Sequence, residues 1–317
     1  MKIAFFEVSK KQQSFFSQNL TGLDIVFFEE KIDSSHLNNI KDVDVISGFT
    51  SSIISKELID LLPNLKLIVT RSTGFDHIDV AYANSKGIKV CNVPAYGSET
   101  VAEFTFALLL TLSRKIREAT SSVKENQDFS IPTNVQGFDL DKKTIGVLGT
   151  GKIGKNVIHI ARGFNMNVLA YDLYPDLEFA KINNFIYKTL GDVLAQSDIV
   201  TLHAPYTKEN HHLINKENIS LLKKGSYLIN TARGELVETE ALVSALKDGI
   251  LAGAGLDVVE GERELKKGDL APMLEIPNVV ITPHVAFDTI EAELRIMQTT
   301  VDNIKSFVSG NPINILK

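Results

Sequence analysis

The sequence predicts an α/β fold of two doubly wound parallel sheets, and three observations carry that expectation. The chain has 317 residues, which at about 150 residues per domain makes two units, each able to bury its own apolar core. Short apolar runs alternate with helical patterns along nearly the whole length, the pattern of strands covered by helices. A glycine loop, Gly149-Thr150-Gly151-Lys152-Ile153-Gly154, falls between one such run and a helical stretch.

In the first hundred residues strands are expected at Lys2 to Glu7, Leu23 to Phe28, Val43 to Ile46, Leu65 to Val69 and Lys89 to Val93. A long helix is expected to open near Thr100, where Thr-Val-Ala-Glu reads as a capping box and Phe104, Ala107, Leu108 and Thr111 follow at helical spacing, and to run to about Glu118. Thr120 to Lys143 is polar, with Pro132 and Gly137, and reads as a connecting excursion. Strand-like runs resume at Thr144 to Leu148, Asn167 to Tyr171, Asp198 to His203, Ser226 to Asn230, Ala252 to Leu256 and Asn278 to Thr282. The last helix is expected to be capped by Asp288 and to stop at Gly310 before Pro312, returning to pack on the first domain. Two domains of this kind usually leave a cleft between them.

Composition narrows the function. Lys plus Arg number 33 against 39 Asp plus Glu, a net charge of −6 with no basic run, so nucleic acid is not the expected partner. Cys91 is the only cysteine, which excludes an intrachain disulfide and fits a reducing compartment. The amino terminus gives only a short apolar run before polar residues, suiting a first strand and not a signal peptide. No apolar run is long enough to cross a bilayer. A cytoplasmic protein without a membrane partner is expected.

The glycine loop gains weight from its context. Gly149 would make the sharp turn, Gly151 would admit a pyrophosphate to backbone N–H groups, and Gly154 would let helix Lys152 to Arg162 pack on its strand. Asp172 ends the next strand, 18 residues after Gly154, where a carboxylate can accept ribose hydroxyls. Leu173 to Ala180 holds no Arg or Lys, so a 2′-phosphate would meet uncompensated like charge and NAD is favoured over NADP.

Three later strands end in polar groups on that same edge: Ser226 to Asn230 runs into Arg233, Ala252 to Leu256 into Asp257 and Glu262, and Asn278 to Thr282 into His284. Reduction of a 2-oxo acid needs a proton donor, a cation for the carboxylate and an aligned cofactor. Imidazole, with a reference pKa of about 6.5, makes His284 the natural donor. The planar fork of Arg233 suits carboxylate and carbonyl oxygens together. Glu262, where it meets His284, favours imidazolium and fixes its orientation. Taken one by one these side chains read as ordinary surface or core groups, and it is the shared edge that joins them. His36, His77, His159, His211 and His212 give no metal pattern, the adjacent His211 and His212 being poor ligand spacing, so no metal site is expected. There is no Gly-x-Ser-x-Gly elbow, which disfavours a serine hydrolase.

These residues resemble a family, the D-isomer-specific 2-hydroxyacid dehydrogenases. The resemblance spans nearly the whole chain, through Arg71-Ser72-Thr73-Gly74-Phe75-Asp76-His77-Ile78-Asp79, Asn92-Val93-Pro94-Ala95-Tyr96, the glycine loop, Asn230-Thr231-Ala232-Arg233-Gly234, Asp257 to Glu262 and Thr282-Pro283-His284. It implies Arg233, Glu262 and His284 as the catalytic set. It also implies a Rossmann cofactor domain, residues 100–287, inserted into a smaller flavodoxin-like substrate domain made of residues 1–99 and 288–317. Backbone N–H groups at Thr73 and Gly74 would hold the substrate carboxylate. Gly149, Gly151, Lys152, Ile153, Gly154, Asp172, His203, Ala204, Pro205, Asn210, Thr231, Ala232 and Asp257 would form the NAD site.

Within the family, Pro94-Ala95-Tyr96 and His284-Val285-Ala286-Phe287 look like the D-lactate dehydrogenase branch, with Tyr96 and Phe287 as an aromatic wall for a small side chain such as the methyl of pyruvate. Two features depart from that branch: a short stretch between Glu262 and Pro277, and Asp288 where another aromatic is expected after Phe287. A glyoxylate or hydroxypyruvate reductase, formate or phosphite oxidation, and a NAD-sensing corepressor are the rival readings. The resemblance implies a homodimer through the cofactor domain, and the run Leu108-Leu109-Leu110 exceeds one buried helix face.

Overall fold

The computed structural model describes residues 1–127 and 129–317; Asp128, in the polar stretch after the long helix, lies outside the described residues. The chain divides into two compact units, Met1–Tyr96 with Thr289–Lys317, and Gly97–Asp288.

In the first unit β1 (Lys2–Phe5), β2 (Asp24–Phe27), β3 (Val45–Gly48), β4 (Leu67–Thr70) and β5 (Lys89–Cys91) pair in the order β2-β1-β3-β4-β5, every pair parallel. Alternate residues face opposite layers, as a period of two requires. Ala4, Ile46, Ile68 and Val90 enter one core, while Ile3, Phe5, Val45, Leu67, Val69 and Cys91 enter the other. The second core is closed by Phe16 of the helix Lys10–Asn19, stacked on Phe5 with ring centroids 4.4 Å apart, and by Met297, Val301 and Ile304 of the helix Ile290–Val308. The last helix therefore does return to the first sheet.

In the second unit β6 (Thr144–Leu148), β7 (Asn167–Tyr171), β8 (Ile186–Tyr187), β9 (Ile199–Leu202), β10 (Ser226–Asn230), β11 (Leu251–Leu256) and β12 (Val279–Ile281) form one parallel sheet, ordered β12-β11-β10-β9-β6-β7-β8. From β6 the chain winds one way through β7 and β8, then reverses at β9. That reversal makes the gap between β6 and β9 a topological switch point, beyond whose carboxyl ends such sheets take ligands. Both units are α/β with doubly wound parallel sheets, as the alternation of apolar runs predicts. The short strand β8 escaped the sequence reading, because two residues give no measurable period.

Local boundaries need correcting. The long helix spans Ser98–Ser113 with Gly97 at its N-cap, so Thr100 lies inside the first turn and caps nothing. It ends before Glu118: Phe138 N–H takes the Ser113 carbonyl at 2.9 Å and Lys115 adopts a left-handed φ of 53°. A second helix, Ile116–Asn126, then occupies the first part of the expected excursion, positioned by Arg117, which donates to the Val279 carbonyl at 3.0 Å. Leu108 and Leu109 are buried in the core of their own unit, which leaves only Leu110 half-buried, so the triple-leucine run is no free face. At the last helix the cap is Thr289, whose hydroxyl accepts from Ala292 N–H at 3.1 Å, and not Asp288.

Candidate active site

Because β6 to β12 all run the same way, the residues that follow them collect along one edge of the second unit's sheet. Those residues are the glycine loop, Asp172, His203, Arg233, Asp257 and His284.

The loop after β6 can take only glycine at two positions. Gly149 has φ +97°, and a Cβ there would stand 2.5 Å from Ala204 N and 2.7 Å from the His203 carbonyl carbon. At Gly154 a Cβ would lie 2.0 Å from the Gly149 carbonyl oxygen. Gly151 differs: nothing lies within 4 Å of where its Cβ would be, and no side chain caps the helix Lys152–Gly163 that it opens. Unsatisfied helix N–H groups beside open space suit a pyrophosphate. Asp172 is held at the edge of this loop, accepting from Thr150 N–H at 2.5 Å, Thr150 hydroxyl at 2.8 Å and Tyr174 N–H at 2.8 Å. Thr150, which the glycine pattern alone does not single out, thus ties the Asp172 carboxylate to the glycine loop. Lys152 is exposed and Ile153 packs against the core beneath.

The segment after β9 is buried at His203, where Nε2 shares a hydrogen bond with Thr201 at 2.9 Å and Nδ1 has no partner among the described residues. Burial pushes this imidazole down to about 3, so it is a neutral spacer whose backbone, with that of Ala204, packs against Gly149. Asn210 closes its own loop, donating to the Pro205 carbonyl and accepting from Thr207 N–H, both at 2.7 Å.

After β10 the turn is shaped by Asn230, which accepts from Ala232 N–H at 3.0 Å and donates to the Arg233 carbonyl at 2.8 Å. Thr231 is buried against Thr105, with hydroxyls 3.0 Å apart. Arg233 leaves this turn in extended backbone, one guanidinium nitrogen donating to the Ala232 carbonyl at 2.7 Å.

His284 and Glu262 meet. His284 Nδ1 lies 2.6 Å from Glu262 Oε1, and both side chains keep about a quarter of their surface exposed (27% and 25%). The histidine sits at φ 54°, a left-handed position held by its N–H donating to the Asp257 carbonyl at 2.8 Å. The Asp257 carboxylate, 1% exposed, accepts from Thr282 hydroxyl at 2.5 Å, Val285 N–H at 3.0 Å and Ala286 N–H at 2.8 Å. Its visible work is to clamp the His284 loop. Phe287 presents its ring edge-on to His284, centroids 6.5 Å apart.

His211 and His212 stack with ring centroids 3.8 Å apart and come together with Glu260, their donor atoms within 4.8 Å of one another. Adjacency in sequence did not anticipate that grouping, in which His212 takes a left-handed φ of 53°.

In the first unit the segment after β4 carries Ser72, Thr73 and Gly74. Thr73 hydroxyl donates to the Val93 carbonyl at 2.9 Å, Asn92 donates to the Thr73 carbonyl at 2.8 Å, and Ser72 hydroxyl donates to the Gly74 carbonyl at 2.6 Å. These bonds occupy the carbonyls and leave the Thr73 and Gly74 N–H groups without an acceptor among the described residues. Arg71 is not a surface cation: it is 2% exposed, donates to the Phe6 and Glu7 carbonyls at 2.6 and 2.8 Å, and is pushed down to about 10 by burial. Tyr96 is half-buried, its carbonyl accepting from Arg295 at 2.6 Å.

Comparison with known proteins identifies the family. The family model for the D-isomer specific 2-hydroxyacid dehydrogenase NAD-binding domain matches residues 106–286. A glyoxylate reductase of Thermofilum pendens is 42% identical over 279 residues, 86% of this chain and 81% of that protein. An aromatic 2-oxoacid reductase of Clostridium sporogenes is 40% identical over 281 residues, 84% of this chain and 83% of that protein. The solved structure of D-lactate dehydrogenase from Aquifex aeolicus, complexed with NAD and lactic acid, superposes with a TM-score of 0.91 at 39% identity, covering 98% of this chain and 96% of that one. The cofactor is NAD, and the chain belongs to the D-isomer-specific 2-hydroxyacid dehydrogenase family.

Proposed function

We propose that the protein is a NAD-dependent reductase of small 2-oxo acids, pyruvate foremost, yielding the D-2-hydroxy acid. The observation that carries this reading is the 2.6 Å contact between His284 Nδ1 and Glu262 Oε1, at the strand edge that also bears the glycine loop and Arg233. When bound, reduced NAD supplies a hydride to the carbonyl carbon. With Nδ1 committed to Glu262, Nε2 of His284 is the nitrogen that passes a proton to the carbonyl oxygen, converting it to hydroxyl and leaving neutral imidazole. Arg233 clamps the carboxylate and polarises the carbonyl. The Thr73 and Gly74 N–H groups are assigned to the substrate carboxylate, and Tyr96 and Phe287 to the substrate side chain. On the cofactor side, Gly149, Gly151, Lys152, Ile153 and Gly154 are assigned to the pyrophosphate and Asp172 to the adenosine ribose. His203, Ala204, Pro205, Asn210, Thr231, Ala232 and Asp257 form the rest of the NAD site.

The substrate assignment is tested by steady-state kinetics with NADH and a panel of pyruvate, glyoxylate, hydroxypyruvate, 2-oxoisocaproate and phenylpyruvate. Pyruvate is expected to give the highest kcat/KM; a higher value for glyoxylate or phenylpyruvate overturns it, and no turnover on any of them favours a NAD-sensing binding protein. Replacing Glu262 by Gln is expected to move the alkaline limb of the reductive pH profile to lower pH, because the protonated imidazole loses its anionic neighbour. An unmoved limb removes Glu262 from the role.

A homodimer completes the reading. It is supported by Phe129 and Ile131, which are 93% and 88% exposed in the second unit. Cys91, a lone buried thiol pushed up to about 11 by burial, accords with a reducing, cytoplasmic setting. Among the described residues no helix is long and apolar enough to cross a membrane.

A further inference from the structure

Between Asp257 and Glu262 lies a third acidic residue, Glu260, to which the mechanism gives no role. Its carboxylate is the meeting point of three chain segments. Oε1 lies 2.6 Å from His212 Nε2, on the segment that follows β9. Oε2 accepts from the hydroxyl and N–H of Thr239 at 2.9 and 3.2 Å. Thr239 begins the helix Thr239–Lys247, whose own N-cap, Glu238, makes no capping bond, so Glu260 serves as that helix's cap from another loop. His212 is fixed in turn: its N–H donates to the Glu235 carbonyl at 2.9 Å, and two further backbone bonds join Ile214 to Leu236 and Glu238.

The turn anchored in this way holds both partners of the chemistry. Gly234, next to Arg233, packs so closely that a Cβ would stand 2.0 Å from the Val259 carbonyl carbon and 2.3 Å from Glu260 N. Glu262 N–H donates to the Val259 carbonyl at 3.2 Å, which brings its side chain round to His284. The Arg233 turn and the Glu262 side chain are therefore both referenced to the backbone at Val259–Glu260. Burial raises the Glu260 carboxyl, and the bonds from His212 and Thr239 outweigh it, leaving the group below the usual carboxylate range and anionic at neutral pH. The charged or titratable groups around it are His212, His211 stacked behind it, and Glu262 and Arg263 on its own turn.

We infer that Glu260, with His212 as its hydrogen-bonding partner, is a positioning residue that fixes the Val259–Glu262 turn so that Glu262 meets His284 and Arg233 keeps its place. This rests on the proposed acid–base pair, and the test separates the two. Reductive kcat and kcat/KM across pH are measured for the NADH-loaded Glu260→Ala, Glu260→Gln and His212→Ala proteins, with Glu262→Gln as reference and NADH affinity and Tm recorded for each. A shift of about 1 Å at a reacting group can cost on the order of 10²-fold, so Glu260→Ala is expected to lose about 10- to 100-fold in kcat. Its alkaline limb should move toward that of Glu262→Gln, with NADH affinity retained. Glu260→Gln, which still accepts from Thr239, should recover most of the rate. If Glu260→Ala does not fold, His212→Ala reads the same limb with the Thr239 bonds intact. A lowered Tm with the wild-type rate and pH profile overturns the inference, since that is what helix capping alone would give. If Glu262→Gln itself leaves the limb unmoved, the acid–base reading falls, whatever Glu260 does.

Discussion

His284→Asn is expected to lower kcat for 2-oxo acid reduction by about 10²–10⁴-fold, the usual contribution of a positioned general acid, while NADH affinity stays near wild type. Asparagine suits the test because His284 sits at φ 54°, a region that Asn enters with little strain, so the loop backbone can persist. What disappears is the imidazole whose Nδ1 faces Glu262 at 2.6 Å and to whose Nε2 the proposed function assigns the proton transfer. NADH binding, followed by fluorescence, reads the glycine loop and Asp172, neither of which depends on the imidazole ring. Near wild-type turnover would remove His284 from the chemistry. A parallel loss of NADH affinity would show that the loop had collapsed.

The architecture was legible because its signal is repeated. Most buried parallel strands are apolar runs, and runs such as Ile145 to Leu148 and Leu67 to Val69 stand out against polar connections. Where one local signal had to decide, neighbours overrode it. Thr100 with Glu103 has the composition of a capping box, yet the chain is already helical at Ser98. The break at Lys115 follows from Phe138 taking the Ser113 carbonyl, a contact between residues 25 apart that no periodicity encodes. Likewise the Leu108–Leu110 run suggested a face for another subunit, but a helix packed on both a second helix and a sheet buries more than one stripe.

The meeting of His284 with Glu262 was legible for a different reason. In a parallel sheet, topology places every post-strand residue on one edge, so Arg233, Glu262 and His284 could be expected on the same edge from the order of the strands. The supporting side chains could not. Asn230 shapes the arginine turn, Thr150 braces Asp172, and Glu260 reaches His212 across 48 residues; each acts through a hydrogen bond whose partner only the fold supplies. Asn230 and Thr150 did carry a weak signal, as polar residues at a strand end and inside a glycine loop.

Asp257→Asn is expected to reduce kcat by about 10²-fold, by misplacing His284, and to lower stability by about 1–3 kcal/mol, the cost of one buried polar group left unsatisfied. All three donors that the carboxylate binds come from residues 282–286, the loop that carries His284. An amide can keep one oxygen toward Thr282 and Val285, but its NH₂ then faces Ala286 N–H, donor against donor, at a site 1% exposed to water. The loop can relieve that clash only by moving, and movement there carries His284 away from Glu262. Were Asp257 mainly a ligand of the cofactor, the same substitution would raise the KM for NADH and leave Tm unchanged. Thermal unfolding and steady-state kinetics on one preparation therefore tell the two roles apart: a falling Tm with kcat lost at saturating NADH assigns Asp257 to holding the histidine loop.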